Sequence, residues 1–258
     1  ANLSGTMASG KNPVINHTPM MRQYHKIKME HPDLMLFFRL GDFYEMFFED
    51  AVTGSRELEI TLTSRNNDNS GNPIPMCGIP YHAAENYLTR LLKKGYKVAI
   101  CDQVEDPRQA KGIVRREVTR ILTPGTTIEK GLLDSKENNY LGCLAVDEDT
   151  VSSAFLDVST GEFLAVEFSG EDAWEKTEQE LYQFQPREIL LAESGRKELE
   201  PVLKKLLGPL AVYTPVPDWV FHPDYARRIL LQQFRVSSLD GFGIESKRLL
   251  VPISGALL

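Results

Sequence analysis

The sequence is poor in cysteine and has no long apolar run. Its 258 residues include three cysteines, Cys77, Cys101 and Cys143, each alone in its segment. An odd, unclustered set argues against a disulfide framework and against a Cys-rich zinc site, and it favours a reducing, cytoplasmic location. No apolar stretch approaches the roughly 20 residues of a membrane helix, and no basic-then-apolar leader precedes the first predicted helix. We therefore predict neither a membrane partner nor export.

Common catalytic and nucleotide-binding motifs are also missing. The sequence has no Gly-x-x-x-x-Gly-Lys-Ser/Thr phosphate loop, no Gly-x-Gly-x-x-Gly and no Gly-x-Ser-x-Gly elbow. Its histidines show no ligand spacing that other ligands support. We accordingly predict no catalytic residue, no metal and no cofactor for this chain. The histidines are His17, His25, His31, His82 and His222.

Acidic residues outnumber basic ones over the whole chain, 36 against 29, but the two halves of the chain differ. The formal net charge is −7. Residues 1–134 hold 17 Lys and Arg against 16 Asp and Glu, whereas residues 135–258 hold 12 against 20. Any contact with a polyanion should therefore fall on the first half, while the acidic second half suits a protein partner.

The first half alternates helical and strand patterns. Thr18-Pro19 is typical of an N-cap followed by proline at the first helical position, and Gly95 is expected just past the end of a later helix. Alternating strands and helices predict an α/β domain with a mixed sheet. The predicted helices are 19–31, 43–58 and 82–94; the predicted strands are 34–38, 60–64, 97–104 and 114–122, with a polar loop at 66–75.

The second half opens with three strand patterns joined by short turns, which predicts an antiparallel meander at 140–146, 152–157 and 162–168. Helical and strand patterns then alternate, so this half is again α/β. We expect a disordered or expression-derived tail at 1–16, a first domain at 17–128, a linker at 129–139 and a second domain at 140–258. The apolar segment 249–258 carries no signal typical of the end of a domain, which predicts that a further domain begins there.

The most informative stretch runs from Gly41 to Glu45, between a buried strand and an amphipathic helix. Asp42 and Glu45 fit a capping box, with Asp42 as N-cap and Glu45 three residues into the helix. On that interpretation Glu45 caps and Phe43 packs. Phe43 nevertheless lies off the buried helical stripe, and a bulky apolar residue in that position needs another partner. Both interpretations stay open on local pattern alone.

Longer motifs resemble the amino-terminal part of the MutS family. The resemblance covers nearly the whole chain after about residue 17. The first-half motifs match the family's mismatch-binding domain, and the second-half motifs match its connector domain. They are Thr18–Met21, Phe38–Phe47, Pro73–His82, Glu85–Leu88, Val98–Gln103, Arg120–Thr126, Leu156–Gly161 and Gly241–Gly243.

The resemblance assigns the family's Phe-x-Glu contact to Phe43 and Glu45. It implies that this chain recognises mismatched and unpaired bases in duplex DNA. A mispaired base has lost hydrogen bonds and stacking, so it is unstacked at lower cost than a matched one. A phenylalanine entering from the minor groove can stack on that base and kink the duplex. Glu45 is useful there only if it accepts a base N–H or carries a proton itself.

The resemblance also implies a fold and partners for the second half. The connector is expected to be ribonuclease H-like without nuclease activity, to dock the MutL partner and to relay to a distant ATPase. ATP, magnesium and homodimerisation belong to family regions expected beyond Leu258, so this chain is expected not to be an enzyme. Supporting DNA contacts are predicted at Arg65, Met76, His82, Arg108, Lys111, Arg115 and Arg116.

Two other functions remain open. Asp147, Asp149 and Asp157 lie on or near the predicted meander, where a magnesium-dependent, ribonuclease H-like nuclease would need clustered acids. Aspartate is also a preferred turn residue, which favours a structural role for them. Alternatively, the chain is a protein-docking module in which Phe43 belongs to the core; an exposed Phe43 would count against that function.

Overall fold

The computed structural model describes residues 18–67, 71–105, 112–127 and 138–258. Two β-sheets organise them: a six-stranded sheet in the amino-terminal unit (residues 18–127) and a five-stranded sheet in the carboxy-terminal unit (residues 138–258). The expected tail at 1–16 and most of the expected linker lie outside the described residues. No helix in the described ranges is long and apolar enough to cross a membrane.

The amino-terminal unit has three layers, as its mixed helical and strand patterns predict. Helix α1 covers one face of the sheet through Met21, Tyr24 and Ile27, and α2 and α3 cover the other face. The sheet order is β3-β4-β2-β1-β5-β6, with only β1 and β5 parallel among the described strands. The elements are α1 (Pro19–Glu30), β1 (Met35–Leu40), β2 (Phe43–Phe47), α2 (Phe48–Leu58), β3 (Thr63–Asn67), β4 (Pro73–Pro80), α3 (Ala84–Lys93), β5 (Val98–Gln103) and β6 (Arg116–Leu122).

Local signals set the ends of two helices as predicted. The Thr18 hydroxyl accepts a hydrogen bond from the Met21 N–H at 3.3 Å, and Pro19 occupies the first helical position. Gly95 follows α3 with φ +85°, a left-handed conformation that glycine adopts without steric penalty. These two predictions are confirmed because each depends on chemistry within a few residues.

The predicted helix at 43–58 is wrong in its first five residues, which form strand β2. Gly41 and Asp42 make a two-residue turn, with Gly41 at φ +56° and Leu40 paired with Phe43. Such a turn between apolar runs joins antiparallel strands. The capping box of Asp42 and Glu45 is therefore wrong, and α2 begins only at Phe48.

The sequence patterns do not predict strand β4, because Pro73, Pro75 and Pro80 disfavour a strand. It nonetheless pairs with both β2 and β3, so the predicted loop at 66–75 is wrong at both ends. A short 3₁₀ turn, Tyr81–Ala83, leads from β4 into α3.

The carboxy-terminal unit begins with the predicted antiparallel meander and then adds two parallel strands. Its sheet order is β11-β10-β7-β8-β9. Three antiparallel strands extended by two parallel ones agree with the ribonuclease H-like fold that the family resemblance implies. The strands are β7 (Tyr140–Asp147), β8 (Thr150–Asp157), β9 (Glu162–Ser169), β10 (Glu188–Ala192) and β11 (Val212–Val216); the helices are α4 (Ala173–Phe184), α5 (Arg196–Leu207), α6 (Pro223–Phe234) and α7 (Leu250–Ala256).

A buried acid joins the two units. Glu188, at the start of β10, accepts the Gly125 N–H at 3.1 Å and the hydroxyl of Thr214. Lys97 reaches in from the amino-terminal unit, donating to the Thr214 oxygen at 2.5 Å and lying 3.8 Å from the Glu188 carboxylate. These contacts fix β5 of one sheet against β10 and β11 of the other.

Candidate nucleic-acid interface

Phe43 and Glu45 lie two residues apart on β2 and so project from the same face of the sheet. Phe43 is the first residue of the strand and is 46% exposed, whereas Glu45 is 8% exposed. The four residues after Phe43 are all buried. One large apolar side chain is therefore held in solvent at the end of an otherwise buried strand.

The strand is held on both sides along its length. Glu45 pairs with Phe38 of β1 and with Gly78 of β4, and Phe43 pairs with Pro80. A Cβ added to Gly78 would lie 3.4 Å from Glu45 Cγ and 3.8 Å from Phe43 Cδ1. Gly78 thus leaves the space beside both side chains open. No local pattern in the sequence points to a role for Gly78 beyond its place in the motif Pro73–His82.

On the opposite face, Tyr44 ties the strand to the rest of the sheet. Its hydroxyl donates to Asp102 of β5 at 2.7 Å, and the Thr119 hydroxyl of β6 donates to the other oxygen of Asp102 at 2.8 Å. Burial, together with the Asp102 carboxylate, raises the pKa of Tyr44 to about 12. The phenol therefore remains a donor at physiological pH and holds β2 rigidly behind Phe43.

The two supporting residues predicted on or just after β4, Met76 and His82, lie in different environments. His82 is exposed in the 3₁₀ turn just beyond Pro80, close along the strand to Phe43. Met76 is 8% exposed in the hydrophobic cluster beneath α1 and pairs with Phe47, at the far end of β2. His82 thus lies at the surface and Met76 in the core, and the DNA contact of each stays a prediction.

The neighbouring residues Arg115 and Arg116 of the predicted basic stretch also differ in exposure. Arg115 is exposed and lies 3.4 Å from the Glu117 carboxylate. Arg116 is 7% exposed; its guanidinium donates to the carbonyls of Arg39 and Val114 at 2.5 and 2.8 Å and stacks 5.1 Å from the Phe38 ring centroid. Desolvation lowers the pKa of Arg116. The bonds that the Arg116 guanidinium makes here are internal, and its role as a phosphate contact stays a prediction.

The remaining predicted contacts are less defined. Arg65 lies on β3, the edge strand of the sheet. Arg108 and Lys111 lie outside the described residues. The structure therefore places His82 and Arg115 at the surface as expected and leaves these three contacts as predictions.

The acids of the nuclease alternative do not converge. Burial alone would raise the pKa of Asp157, but hydrogen bonds from Ser159, Asn139 and Thr160 lower it. Asp147 instead pairs with Arg248. No group of three or more His, Cys, Asp or Glu that could hold a metal ion occurs among the described residues. Asp157 is thus a turn-forming acid, and the magnesium nuclease is not favoured.

Comparison with known families gives two matches in chain order. The model of MutS domain I matches residues 18–131, and that of MutS domain II matches residues 139–258. The chain belongs to the MutS family. The order of the matches agrees with a mixed-sheet unit followed by a second α/β unit, the two sheets seen in the structure.

Curated MutS proteins from several bacteria support the assignment. The DNA mismatch repair protein MutS of Syntrophomonas wolfei subsp. wolfei is 51% identical over 234 residues, which is 90% of this chain and 27% of that protein. The DNA mismatch repair protein MutS of Solibacter usitatus is 48% identical over 243 residues, with 93% and 27% covered. That of Fusobacterium nucleatum subsp. nucleatum is 46% identical over 244 residues, with the same coverage. The chain spans about a quarter of the length of these relatives.

Proposed function

We propose that this MutS chain recognises mismatched and unpaired bases in duplex DNA, with Phe43 as the stacking wedge and Glu45 as the base contact. The observation that carries the proposal is a half-exposed phenylalanine at the end of a strand that is buried everywhere else. Exposure of Phe43 also counts against the docking module in which this residue belongs to the core.

The Phe43 wedge needs a rigid support, because its insertion between stacked nucleobases must overcome stacking of a few kcal/mol per base step. Strand β2 provides that support through its pairing with β1 and β4 and through the Tyr44–Asp102 hydrogen bond. Stacking of a base on an aromatic ring contributes about 1–3 kcal/mol and depends little on which base it is. That tolerance suits recognition of many kinds of mismatch.

Glu45 supplies selectivity. A carboxylate on the Phe43 face repels the phosphates of intact duplex, which disfavours binding where no wedge can enter. When a displaced base presents an N–H, the same carboxylate can accept it or, if protonated, donate to a base acceptor. Exposed Arg115 and His82 would contribute sequence-independent contacts to the backbone.

For the carboxy-terminal unit we propose the family's connector role: docking of a MutL partner and relay to an ATPase carried by the longer relatives. The support is its fold, its match to MutS domain II and the excess of acids in residues 135–258. ATP and magnesium binding and homodimerisation are proposed for the whole protein and not for this piece.

The test is a titration of the chain against G·T, single-unpaired-T and matched duplexes by fluorescence anisotropy at low ionic strength. We expect the wild-type chain to prefer the defective duplexes and Phe43→Ala to lose that preference while keeping its fold by circular dichroism. Phe242→Ala, which removes an exposed phenylalanine of the carboxy-terminal unit, is the matched control. The relatives extend well beyond the region that this chain matches. The same variants are therefore also tested in a chimera in which this chain replaces the matching part of the S. wolfei MutS protein. Equal affinities of the wild-type chimera for all three duplexes would refute the proposal.

A further inference from the structure

The two-residue turn that leads into Phe43 is tied at both of its residues. The Arg39 Nε donates to the Gly41 carbonyl at 2.6 Å. The Tyr81 N–H donates to the Asp42 carbonyl at 3.0 Å. These are the only two residues between Leu40 and Phe43, so both residues of the β1–β2 connection are tied, one by the Arg39 side chain and the other by the Tyr81 backbone.

Arg39 and Tyr81 also hold each other. The Arg39 guanidinium carbon lies 3.5 Å from the centroid of the Tyr81 ring, a close cation–π contact, and 5.6 Å from the Tyr44 ring. Tyr81 is 45% exposed, and its ring contacts the Arg39 guanidinium on its face and the His82 ring edge-on, with ring centroids 5.8 Å apart. A planar guanidinium can stack and donate along its edge at the same time, which a lysine ammonium cannot do.

This arrangement lies behind Phe43. Arg39 pairs with Tyr44, whose side chain points away from the face that carries Phe43 and Glu45. Tyr81 directly follows Pro80, the partner of Phe43 on β4. The stacked pair therefore links three strand ends around the turn without occupying the face that would meet a base.

Turns at the ends of strands are the mobile parts of a sheet, and Gly41 adds backbone freedom at φ +56°. If the turn moved, Phe43 would enter a base stack in many orientations and would lose part of its stacking free energy to ordering. A turn fixed in advance avoids that loss.

We propose that Arg39 and Tyr81 are positioning residues, which fix the turn at Gly41 and Asp42 and thereby orient the Phe43 wedge. The inference rests on the proposed recognition of mismatches. It adds that discrimination depends on a cation–π pair that has no contact with the base.

The first measurement needs no DNA. Hydrogen exchange of the peptide covering residues 40–44, followed by mass spectrometry, is compared for the wild type, Tyr81→Leu, Tyr81→Phe and Arg39→Met. We expect Tyr81→Leu and Arg39→Met to speed exchange in that peptide about tenfold, with peptides of β5 and β8 unchanged. Tyr81→Phe keeps the ring and should behave as the wild type. Tyr225→Leu, which removes the ring from a cation–π pair with Arg228 in the carboxy-terminal unit, is the matched control.

The second measurement is the ratio of mismatch to matched-duplex affinity in the chimera. We expect Tyr81→Leu and Arg39→Met each to lower the ratio about three- to tenfold. The double variant should lower the ratio no further than either single variant. Tyr81→Phe should keep the ratio of the wild type. A general loss of fold would reduce both affinities and the melting temperature together instead of the ratio.

The outcomes separate the two proposals. If the wild type shows no preference, recognition itself fails, and that result appears before any variant is compared. If the wild type discriminates but Tyr81→Leu or Arg39→Met leaves either the exchange or the ratio unchanged, the positioning role is overturned and recognition stands.

Discussion

Replacing Glu188 by glutamine should destabilise the chain and separate the unfolding of its two units. The Glu188 side chain is 2% exposed and faces Lys97, which is 15% exposed, at 3.8 Å. Removing one member of a buried ion pair leaves the other charge without compensation, which typically costs about 3–5 kcal/mol. Because the amide keeps the shape and can still accept the Gly125 N–H, we expect a loss of about 3 kcal/mol in the free energy of unfolding, at the lower end of that range.

The loss should depend on pH through Lys97. Burial lowers the pKa of Lys97, and the Glu188 carboxylate partly opposes that shift. In the glutamine variant the pKa of Lys97 falls further, so the unfolded chain binds more protons than the folded chain between the folded pKa and the unfolded value of about 10.4. Stability rises with pH wherever the unfolded state binds more protons. The deficit of Glu188→Gln should therefore shrink as the pH is raised through that interval.

Urea denaturation followed by two probes is the assay. Trp174 and Trp219, the chain's two tryptophans, both lie in the carboxy-terminal unit, so their fluorescence reports that unit, whereas far-ultraviolet circular dichroism reports both. We expect coincident transitions in the wild type and separated transitions in Glu188→Gln. Glu193→Gln, the same change at an exposed position just past β10, is the control. A variant that unfolds like this control, with the two probes coincident, would refute the role of the buried pair.

Two further substitutions test the amino-terminal unit. Glu45→Gln keeps the shape of the side chain but removes its charge, so affinity for matched duplex should rise about two- to fivefold and discrimination should fall. Anisotropy at two salt concentrations measures this against Glu49→Gln, and weaker binding to matched duplex would contradict the repulsive role. Arg116→Lys cannot reproduce the internal hydrogen bonds of the guanidinium and should lower stability by about 1–3 kcal/mol without changing DNA affinity. Urea denaturation measures this against Arg115→Lys; unchanged stability with weaker DNA binding would instead support a phosphate contact.

Much of the fold could be predicted because its signals are local. The Thr18 cap, the glycine after α3 and the short turns of the meander each depend on a few neighbouring residues. Strand β2 is predicted wrongly as a helix, because its burial on both faces depends on distant segments and not on neighbouring residues. Tyr44 and Met46 are buried on one face and Glu45 and Phe47 on the other, so the segment lacks the alternation that identifies a half-exposed strand.

The site was predictable only in part, because burial of polar side chains is set by distant segments. Arg115 and Arg116 are neighbours of the same type, yet one is in solvent and the other is bonded to the carbonyl of Arg39 on another strand. Arg39 and Tyr81 lie within matched motifs, but their contact joins residues that only the pairing of β2 with β4 brings together. No spacing along the chain indicates either arrangement.

The change from helix to strand at residues 43–47 alters the balance between the two interpretations of Glu45. At a helix start, Glu45 would have a structural reason to be acidic, since a carboxylate there caps free N–H groups and is favoured by the helix dipole. On β2 the backbone N–H groups are engaged in pairing with β1 and β4, and no helix end is available to it. Glu45 is largely buried and projects from the same face of β2 as the exposed Phe43. The proposed recognition of a displaced base would give both residues one common role, whereas helix capping no longer explains the acid at position 45.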